Sequence, residues 1–298
     1  MTRKHLVYIV SADPQVSPFD INMAYDAGFD AVMPYAGVAP EAVRGLTQDI
    51  MFSRGPKGAR ASALFVTSSD PGTAEAMLRA ASSALFEPFR IGLMIDPKGG
   101  YTTAAALVAK TAAILRARGR EGLKGARVLV LGGTGGVGRA AAALAAADGA
   151  RVVLASRTRE RAAAAARQIH ELFGAEVAPQ AGADEPARAG LARQADVVFA
   201  TGSAGVTLLA AATVRSLGGS VVLADVNAVP PAGIEGVQAG DDGAESPQGQ
   251  VTLGALAIGG LKMKVEAALL ADLLGVEPAP VIGLNEARRR ADEILAGR

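Results

Sequence analysis

The chain has 298 residues, of which 50% are hydrophobic and 20% charged, and this composition excludes a disordered or fibrous protein. Its 30 Lys and Arg residues against 29 Asp and Glu residues give a net charge of +1, so it lacks the broad positive charge that nucleic acid requires. It contains no Cys and only two His, His5 and His170, which excludes thiolate chemistry, and we predict no metal site.

The first part of the chain alternates between short apolar runs and helical segments. Strands are predicted at residues 6–10, 31–34, 63–66 and 91–95, and helices at residues 19–27 and 73–85. This alternation predicts a small α/β domain over residues 1–118. The opening apolar run is too short for a signal sequence, and no later run approaches the ~20 residues of a membrane span. We therefore expect a cytoplasmic protein without a membrane partner.

A second alternation of strands and helices begins after residue 119. Strands are predicted at residues 127–131, 151–155, 175–178, 195–200 and 219–224, and helices at 139–147, 158–173, 186–193 and 208–216. Apolar strands alternating with helices are typical of a parallel sheet covered on both faces. The fold class is therefore α/β, with a doubly wound Rossmann sheet over residues 119–252 and the smaller N-terminal α/β domain.

Two long helices are predicted where the chain passes between these domains. Residues 102–117 would lead into the second domain, and residues 253–274 would form a hinge helix that leads back, so that helices within 275–298 return to the first domain. Residues 236–250 are polar and rich in turn-forming types, which predicts an exposed loop.

A glycine-rich loop lies between the first strand and the first helix of the second domain. Its pattern is G-x-G-x-x-G, in which the first Gly permits a tight turn, the second lets a pyrophosphate approach, and the third lets helix and strand pack closely. No Gly-Lys-Ser/Thr follows, which excludes a P-loop. The predicted coenzyme contacts in this loop are Gly133, Thr134, Gly135, Gly136, Val137 and Gly138.

The end of the next strand favours NADP over NAD. An NAD site would place a carboxylate there, whereas this sequence has Ser156, Arg157 and Thr158, with Arg161 one turn later. A guanidinium can bind the 2′-phosphate of NADP and stack on adenine. The alternative is that these arginines, with Arg159, form only a solvated basic helix face. Further contacts are predicted at the ends of the following strands: Thr201, Gly202 and Asn227.

Segments outside the glycine loop, spread through nearly the whole chain, carry a family resemblance. They are Pro18-Phe19-Asp20, Tyr25-Asp26-Ala27-Gly28, Glu87-Pro88-Phe89-Arg90, Asp96 with Tyr101-Thr102-Thr103, the run of residues 224–234, and the run of residues 254–264. Together they resemble the NAD(P)-dependent methylene-tetrahydromethanopterin dehydrogenases of bacterial one-carbon metabolism.

The resemblance implies a two-domain enzyme that is a homo-oligomer and specifically a trimer. A cleft between its domains would hold a reduced pterin on the N-terminal side and the nicotinamide on the Rossmann side. Asp20, Thr102 and Thr103 would contact the pterin, and Lys262 would project from the hinge helix as the catalytic residue. Each has a local alternative: Asp20 as a carboxylate at a helix start, and the two threonines as a helix cap and its neighbour. Lys262 and Lys264 lie two apart on a helix, so only one of them can face the substrate.

The leading functional prediction is hydride transfer between methylene-tetrahydromethanopterin, as cosubstrate, and NADP, with NAD possible. Loss of hydride from a carbon between two nitrogens leaves a delocalised cation and moves no proton, which fits a chain without an evident acid–base pair. The alternatives are a methylene-tetrahydrofolate dehydrogenase, a shikimate-dehydrogenase-like NADP enzyme, and an NADP-sensing protein without turnover.

Overall fold

The computed structural model describes residues 3–275 and 279–297, and the chain divides into two compact units. Unit 1 comprises residues 1–102 and 263–290, and unit 2 comprises residues 103–262 and 291–298. All three divisions, at residues 102/103, 262/263 and 290/291, fall inside helices. The domain limits predicted at residues 118 and 252 stay predictions. Helices within residues 275–298 were predicted to return to the first domain. Residues 276–278 and 298 of this segment lie outside the described residues.

Strands and helices alternate along most of the described chain. The strands are β1 (Leu6–Ser11), β2 (Ala31–Tyr35), β3 (Ser62–Thr67), β4 (Gly92–Ile95), β5 (Arg127–Leu131), β6 (Arg151–Ser156), β7 (Ala178–Ala181), β8 (Val197–Ala200), β9 (Val222–Asp225), β10 (Asp242–Glu245), β11 (Val251–Leu253) and β12 (Val281–Ile282). The α-helices are α1 (Pro18–Asp26), α2 (Pro40–Ala59), α3 (Pro71–Ser82), α4 (Gly100–Ala117), α5 (Gly136–Ala147), α6 (Arg159–Phe173), α7 (Glu185–Ala192), α8 (Ala211–Arg215), α9 (Ala255–Asp272) and α10 (Leu284–Leu295).

Unit 1 contains a five-stranded parallel sheet in the order β12-β4-β3-β1-β2. Every residue of the central strand β3 is buried, as expected for a strand of a parallel sheet covered on both faces. The four strands predicted in this part of the chain are confirmed. Helix α2 was missed, and its backbone is interrupted by Gly55, at φ +63, directly before Pro56. A Gly-Pro pair inside a segment weakens the helix pattern of its sequence.

Unit 2 contains a seven-stranded sheet in the order β10-β11-β9-β8-β5-β6-β7. All its pairings are parallel except that of β10 with β11. The six parallel strands have the doubly wound Rossmann order, which reverses direction between β5 and β8. The predicted α/β fold class with a Rossmann sheet is confirmed.

The prediction of a loop over residues 236–250 was wrong in part, because the segment contains β10. All four residues of this strand are exposed, as predicted. They form a strand because backbone pairing with β11 does not require apolar side chains. Two ion pairs also join β10 to α4 and to the residue that follows it: Asp242 with Lys110 at 2.8 Å and Glu245 with Arg118 at 2.9 Å.

Several helices and strands begin or end a few residues away from their predicted positions. Helix α5 begins at Gly136 rather than at Arg139, and α4 begins at Gly100 rather than at Thr102, since glycines at a helix start do not read as helical from sequence. Strand β7 lies three residues later than predicted, and α8 covers only part of the predicted segment 208–216.

Candidate functional site

The turn of the glycine-rich loop is made by Gly132, one residue before the predicted motif. Its φ is +70°, and a Cβ there would lie 2.4 Å from the Cα of Gly202. Gly133, to which the motif assigned the tight turn, does not have a positive φ; a Cβ there would collide with the Leu154 side chain at 2.3 Å. The turn and the close packing are therefore divided between two consecutive glycines, the first of which directly follows the last residue of β5.

Gly138 allows helix α5 to approach the end of strand β8. A Cβ at this position would lie 2.6 Å from both the Gly133 Cα and the Thr201 Oγ1. The Thr201 hydroxyl donates to the Leu131 carbonyl at 3.0 Å, so this threonine also joins the ends of β5 and β8. Gly135 is the N-cap of α5, and the nearest atom to a Cβ there would be 4.0 Å away. The space beside Gly135 is thus open for a ligand.

Substitution of Gly138 by Ala is expected to destabilise unit 2 by about 1–3 kcal/mol, since the added methyl group would overlap with fixed backbone atoms. Urea unfolding measures this change. Gly190→Ala is the matched control, because a Cβ at Gly190 on α7 would meet no atom within 4 Å, and we expect it to leave the protein equally or more stable. A Gly138→Ala protein as stable as the wild type would show that the loop packs differently.

A groove of about 660 Å³ lies at the carboxyl ends of β5, β6 and β8 in unit 2. This is the point where the strand order reverses, at which doubly wound sheets bind their ligands. The structure brings together here six of the predicted coenzyme contacts: Thr134, Gly135, Ser156, Arg157, Thr201 and Gly202. Gly136, Val137 and Gly138 do not line the groove and instead form the first turn of α5 behind it.

Arg157 is the predicted phosphate ligand that the groove supports best. Its side chain is exposed at the groove and makes no ion pair with any described residue. Thr158 has a local role, since its hydroxyl caps α6 by accepting from the Arg161 backbone N–H at 3.3 Å. Neither Thr158 nor Arg161 is among the lining residues that the structure places around the groove.

The sequence analysis missed Arg188, which also lines this groove. Its guanidinium donates to the backbone carbonyls of Leu208 at 2.6 Å and of Gly182 and Ala183 at 3.3 Å, and it pairs with Glu185 at 3.2 Å. These contacts hold the two loops that border the groove. No motif signals such a role, because its acceptors are main-chain carbonyls brought close only by the fold.

Asn227 lies away from this groove, beside a second cavity of about 350 Å³ at the carboxyl end of β9. Its side chain donates to the Pro231 carbonyl at 3.2 Å and accepts from the Val229 N–H at 3.0 Å, which supports the turn interpretation of this segment. The buried Asp225 accepts the N–H groups of Asn227 at 2.9 Å and Ile234 at 3.0 Å. Burial outweighs these hydrogen bonds and raises the pKa of the Asp225 carboxyl.

The predicted pterin contacts of unit 1 are buried. Asp20 is 3% exposed in the first turn of α1. Thr102 is fully buried, and its hydroxyl donates to the Asp96 carboxylate at 2.5 Å. The same carboxylate accepts the Tyr101 N–H at 2.7 Å, so Asp96, which sequence reasoning did not assign, holds the start of α4. Thr103, the first residue of unit 2, is half-buried.

Lys262 and Lys264 differ in exposure as their spacing predicted. On α9, Lys262 is 8% exposed, whereas Lys264 is exposed to solvent. A Cβ at Gly259 or at Gly260, in the preceding turn, would meet no atom within 4 Å. Internal packing therefore does not require these two glycines, and the space directly beside them is open.

A further groove of about 540 Å³ lies at the opposite edge of the unit 2 sheet. Apolar side chains such as Leu129, Val153 and Leu191 line it at the amino ends of the strands. Open α/β sheets bind their ligands at the carboxyl ends, so we do not assign the site here. Across the described residues, no three His, Asp or Glu side chains are grouped to hold a metal ion, and no helix combines the length and apolarity of a membrane span.

The strand order and the glycine-loop groove define a Rossmann-fold, dinucleotide-binding class of protein. A curated relative, the NAD(P)-dependent methylenetetrahydromethanopterin dehydrogenase of Methylorubrum extorquens, is 35% identical over 293 residues, or 98% of this chain and 99% of the relative. The chain therefore belongs to the family of methylenetetrahydromethanopterin dehydrogenases, and the resemblance stated from its sequence is confirmed.

Two further comparisons agree with this assignment. The family model described as methylene-tetrahydromethanopterin dehydrogenase, N-terminal, matches residues 18–98, and the short chain dehydrogenase model matches residues 126–190. The bifunctional protein MdtA of Methylorubrum extorquens is 38% identical over 91% of this chain and 92% of its own length.

Among solved structures, quinate dehydrogenase from Corynebacterium glutamicum in complex with NAD is similar in fold. Its TM-score is 0.54 at 15% identity, with 99% of this chain and 100% of that chain covered. Identity this low shows a shared fold and does not extend to the substrate.

Proposed function

We propose that this protein is an oxidoreductase that transfers a hydride between methylenetetrahydromethanopterin and NADP, giving the methenyl form of the pterin. The observation that carries the proposal is the groove beside Gly135, which has the unpaired Arg157 guanidinium where an NAD-selective site would have a carboxylate. Family membership supplies the pterin as the second substrate.

The residues around the groove fit a phosphorylated dinucleotide. The open space at Gly135, at the N-terminus of the 12-residue helix α5, lets a pyrophosphate approach the helix end and its N–H groups. Ser156 and Arg157 would hold the adenosine ribose and its 2′-phosphate. When bound, the nicotinamide of NADP supplies the hydride acceptor.

The proposed reaction requires the protein to orient the pterin and nicotinamide rings and to exclude water. It does not require the protein to move a proton. Hydride loss from the methylene carbon leaves a positive charge shared by the two nitrogens that flank it. A reaction without proton transfer agrees with the positions of the two His residues. Both are paired near the surface, His5 with Asp30 and His170 with Glu176. For the pterin we retain the predicted contacts, which are Asp20, Thr102, Thr103 and Lys262.

The proposal is tested by the steady-state rate of the purified protein with each of two methylene pterins and each of two coenzymes. We expect the highest kcat/KM with methylenetetrahydromethanopterin and NADP. Faster turnover with methylenetetrahydrofolate would favour the folate alternative. Coenzyme binding without turnover of either pterin would contradict the proposal and favour the NADP-sensing protein.

We predict that the enzyme lacks cyclohydrolase activity. Bifunctional folate dehydrogenase/cyclohydrolases carry a Tyr-x-x-x-Lys motif, whose Lys is the key catalytic group. The residue four positions after each of the four Tyr of this chain is of another type: Ala12, Phe29, Ala39 and Ala105. Loss of the methenyl absorbance should therefore proceed at the spontaneous rate with or without the protein, and clear acceleration would contradict the prediction.

We propose further that the enzyme is a cytoplasmic homo-oligomer, and specifically a trimer. A group of phenyl rings on unit 1 supports an association surface, since Phe52 and Phe86 are exposed and Phe89 is half-buried. The ring centre of Phe52 lies 5.9 Å from that of Phe86 and 5.5 Å from that of Phe89. Light scattering on the purified protein gives the mass that decides between one, two and three copies.

A further inference from the structure

Three polar residues meet at the carboxyl edge of the unit 1 sheet. Asp13 follows β1, Ser69 follows β3 and Lys98 follows β4. Strands β1 and β3 are neighbours, and the strand order reverses direction between them. In sheets of this order, the crevice at the reversal point is where ligands bind.

The Asp13 carboxylate is held in place from two sides. It accepts the Ser69 N–H at 2.9 Å and the Ser69 hydroxyl at 2.8 Å, and it pairs with the Lys98 ammonium at 3.1 Å. Burial alone would raise the pKa of Asp13, but the hydrogen bonds from Ser69 and Lys98 outweigh burial and lower it. Asp13 is therefore ionised at neutral pH, and the ammonium of Lys98 has a fixed counter-ion.

Lys98 has a backbone conformation that does not favour lysine. Its φ is +52°, and among the described residues it is the one position of positive φ that is not a glycine. Its N–H donates to the buried Thr67 hydroxyl at 3.2 Å, which holds the strained turn. A strained backbone that keeps a long charged side chain is typical of residues that contact a ligand.

The ammonium of Lys98 can bind a ligand while it stays paired. Its side chain is 43% exposed, and Asp13 is the one described acceptor placed within hydrogen-bond distance of it. An ammonium has three N–H groups, so two remain for a ligand. Because the pair with Asp13 has no net charge, it suits a neutral carbonyl oxygen better than a polyanionic chain.

We propose that Lys98, held by Asp13, donates a hydrogen bond to the ring carbonyl of the reduced pterin and so positions that ring on unit 1. The inference deepens the proposed function and rests on it. Methanopterin and folate derivatives share the pterin ring but differ in their tails. Loss of a contact to the ring should therefore raise the KM for both methylene pterins, whereas loss of a contact to the tail should raise it for one of them.

The test is the substitution Lys98→Gly, which removes the ammonium and relieves the positive φ. We expect the KM for the methylene pterin to rise roughly tenfold or more, as loss of a charge-assisted hydrogen bond can cause. The KM for the coenzyme should stay within about twofold, and the melting temperature should be unchanged or higher, because glycine accepts this backbone conformation. Lys98→Arg should recover part of the loss. Lys57→Ala, at an exposed lysine of α2, is the matched control.

Two results would overturn the inference. An unchanged pterin KM in Lys98→Gly would show that Lys98 does not touch the substrate. A loss confined to one of the two methylene pterins would assign Lys98 to the tail instead of the ring. Failure of the proposed function is recognised separately, by the absence of wild-type turnover, and calorimetric titration of wild-type and Lys98→Gly protein with each pterin would then still decide whether Lys98 contributes to binding.

Discussion

Replacing Lys262 with Ala is expected to lower kcat roughly 10- to 100-fold, the size of effect that loss of one positioning contact produces. The residue is almost completely buried, in the turn after two glycines beside which no atom approaches within 4 Å. A flat ring can therefore lie against α9 at this level. A general-base role fits the chemistry poorly, because hydride loss moves no proton and an ammonium beside a developing cation opposes it. Lys262 is thus expected to orient the pterin through a hydrogen bond to its ring edge.

The readouts separate orientation from other roles of Lys262. The pH profile of kcat, measured below the melting temperature of the variant, should keep its shape in Lys262→Ala. Lys264→Ala is the matched control, since this neighbour is exposed on the same helix, and its kinetics should not change. Loss of one limb of the pH profile would instead make Lys262 an acid or base, and unchanged kinetics would remove it from the site.

Sequence reasoning could predict the part of the glycine-loop groove that consecutive residues form. The loop from Gly133 to Gly138 and the strand end at Ser156 and Arg157 are local patterns, and the parallel strands bring them to one edge of the sheet. The position of the turn itself was missed, because Gly132 lies outside the G-x-G-x-x-G pattern and its close approach to Gly202 joins residues far apart in sequence.

Contacts between distant segments explain the other differences. Asp225 and Arg188 hold loops through main-chain groups, and Asp96 holds the start of α4, yet no sequence pattern predicted these roles. Asn227 follows a strand end as a ligand-binding residue would, but its amide is used within its own turn. A residue at the correct edge of a sheet can therefore serve the loop rather than the ligand, and only the hydrogen-bond partners distinguish these roles.

Replacing Arg157 with Ala is expected to raise the KM for NADP roughly tenfold or more and to leave the KM for NAD nearly unchanged. The guanidinium lines the groove and has no ion-pair partner among the described residues, so it is available to the 2′-phosphate that only NADP carries. Loss of a charge-assisted hydrogen bond costs on the order of 1.5–3 kcal/mol, which corresponds to this change in KM. Because a phosphate is bound through two N–H groups of one plane, Arg157→Lys should recover only part of the affinity.

The control distinguishes a phosphate site from a merely basic helix face. Arg159 lies two residues further on, is also exposed and does not line the groove. If Arg157 binds the phosphate directly, Arg159→Ala should change the KM for NADP by less than about twofold, since an exposed charge at a distance is screened by salt. Equal losses in Arg157→Ala and Arg159→Ala would mean that the arginines act only as a diffuse positive surface. An equal rise in the KM for NADP and for NAD in Arg157→Ala would mean that Arg157 contacts a part common to both coenzymes. The preference for NADP would then have to arise elsewhere in the groove, and Ser156 would be the next side chain to test.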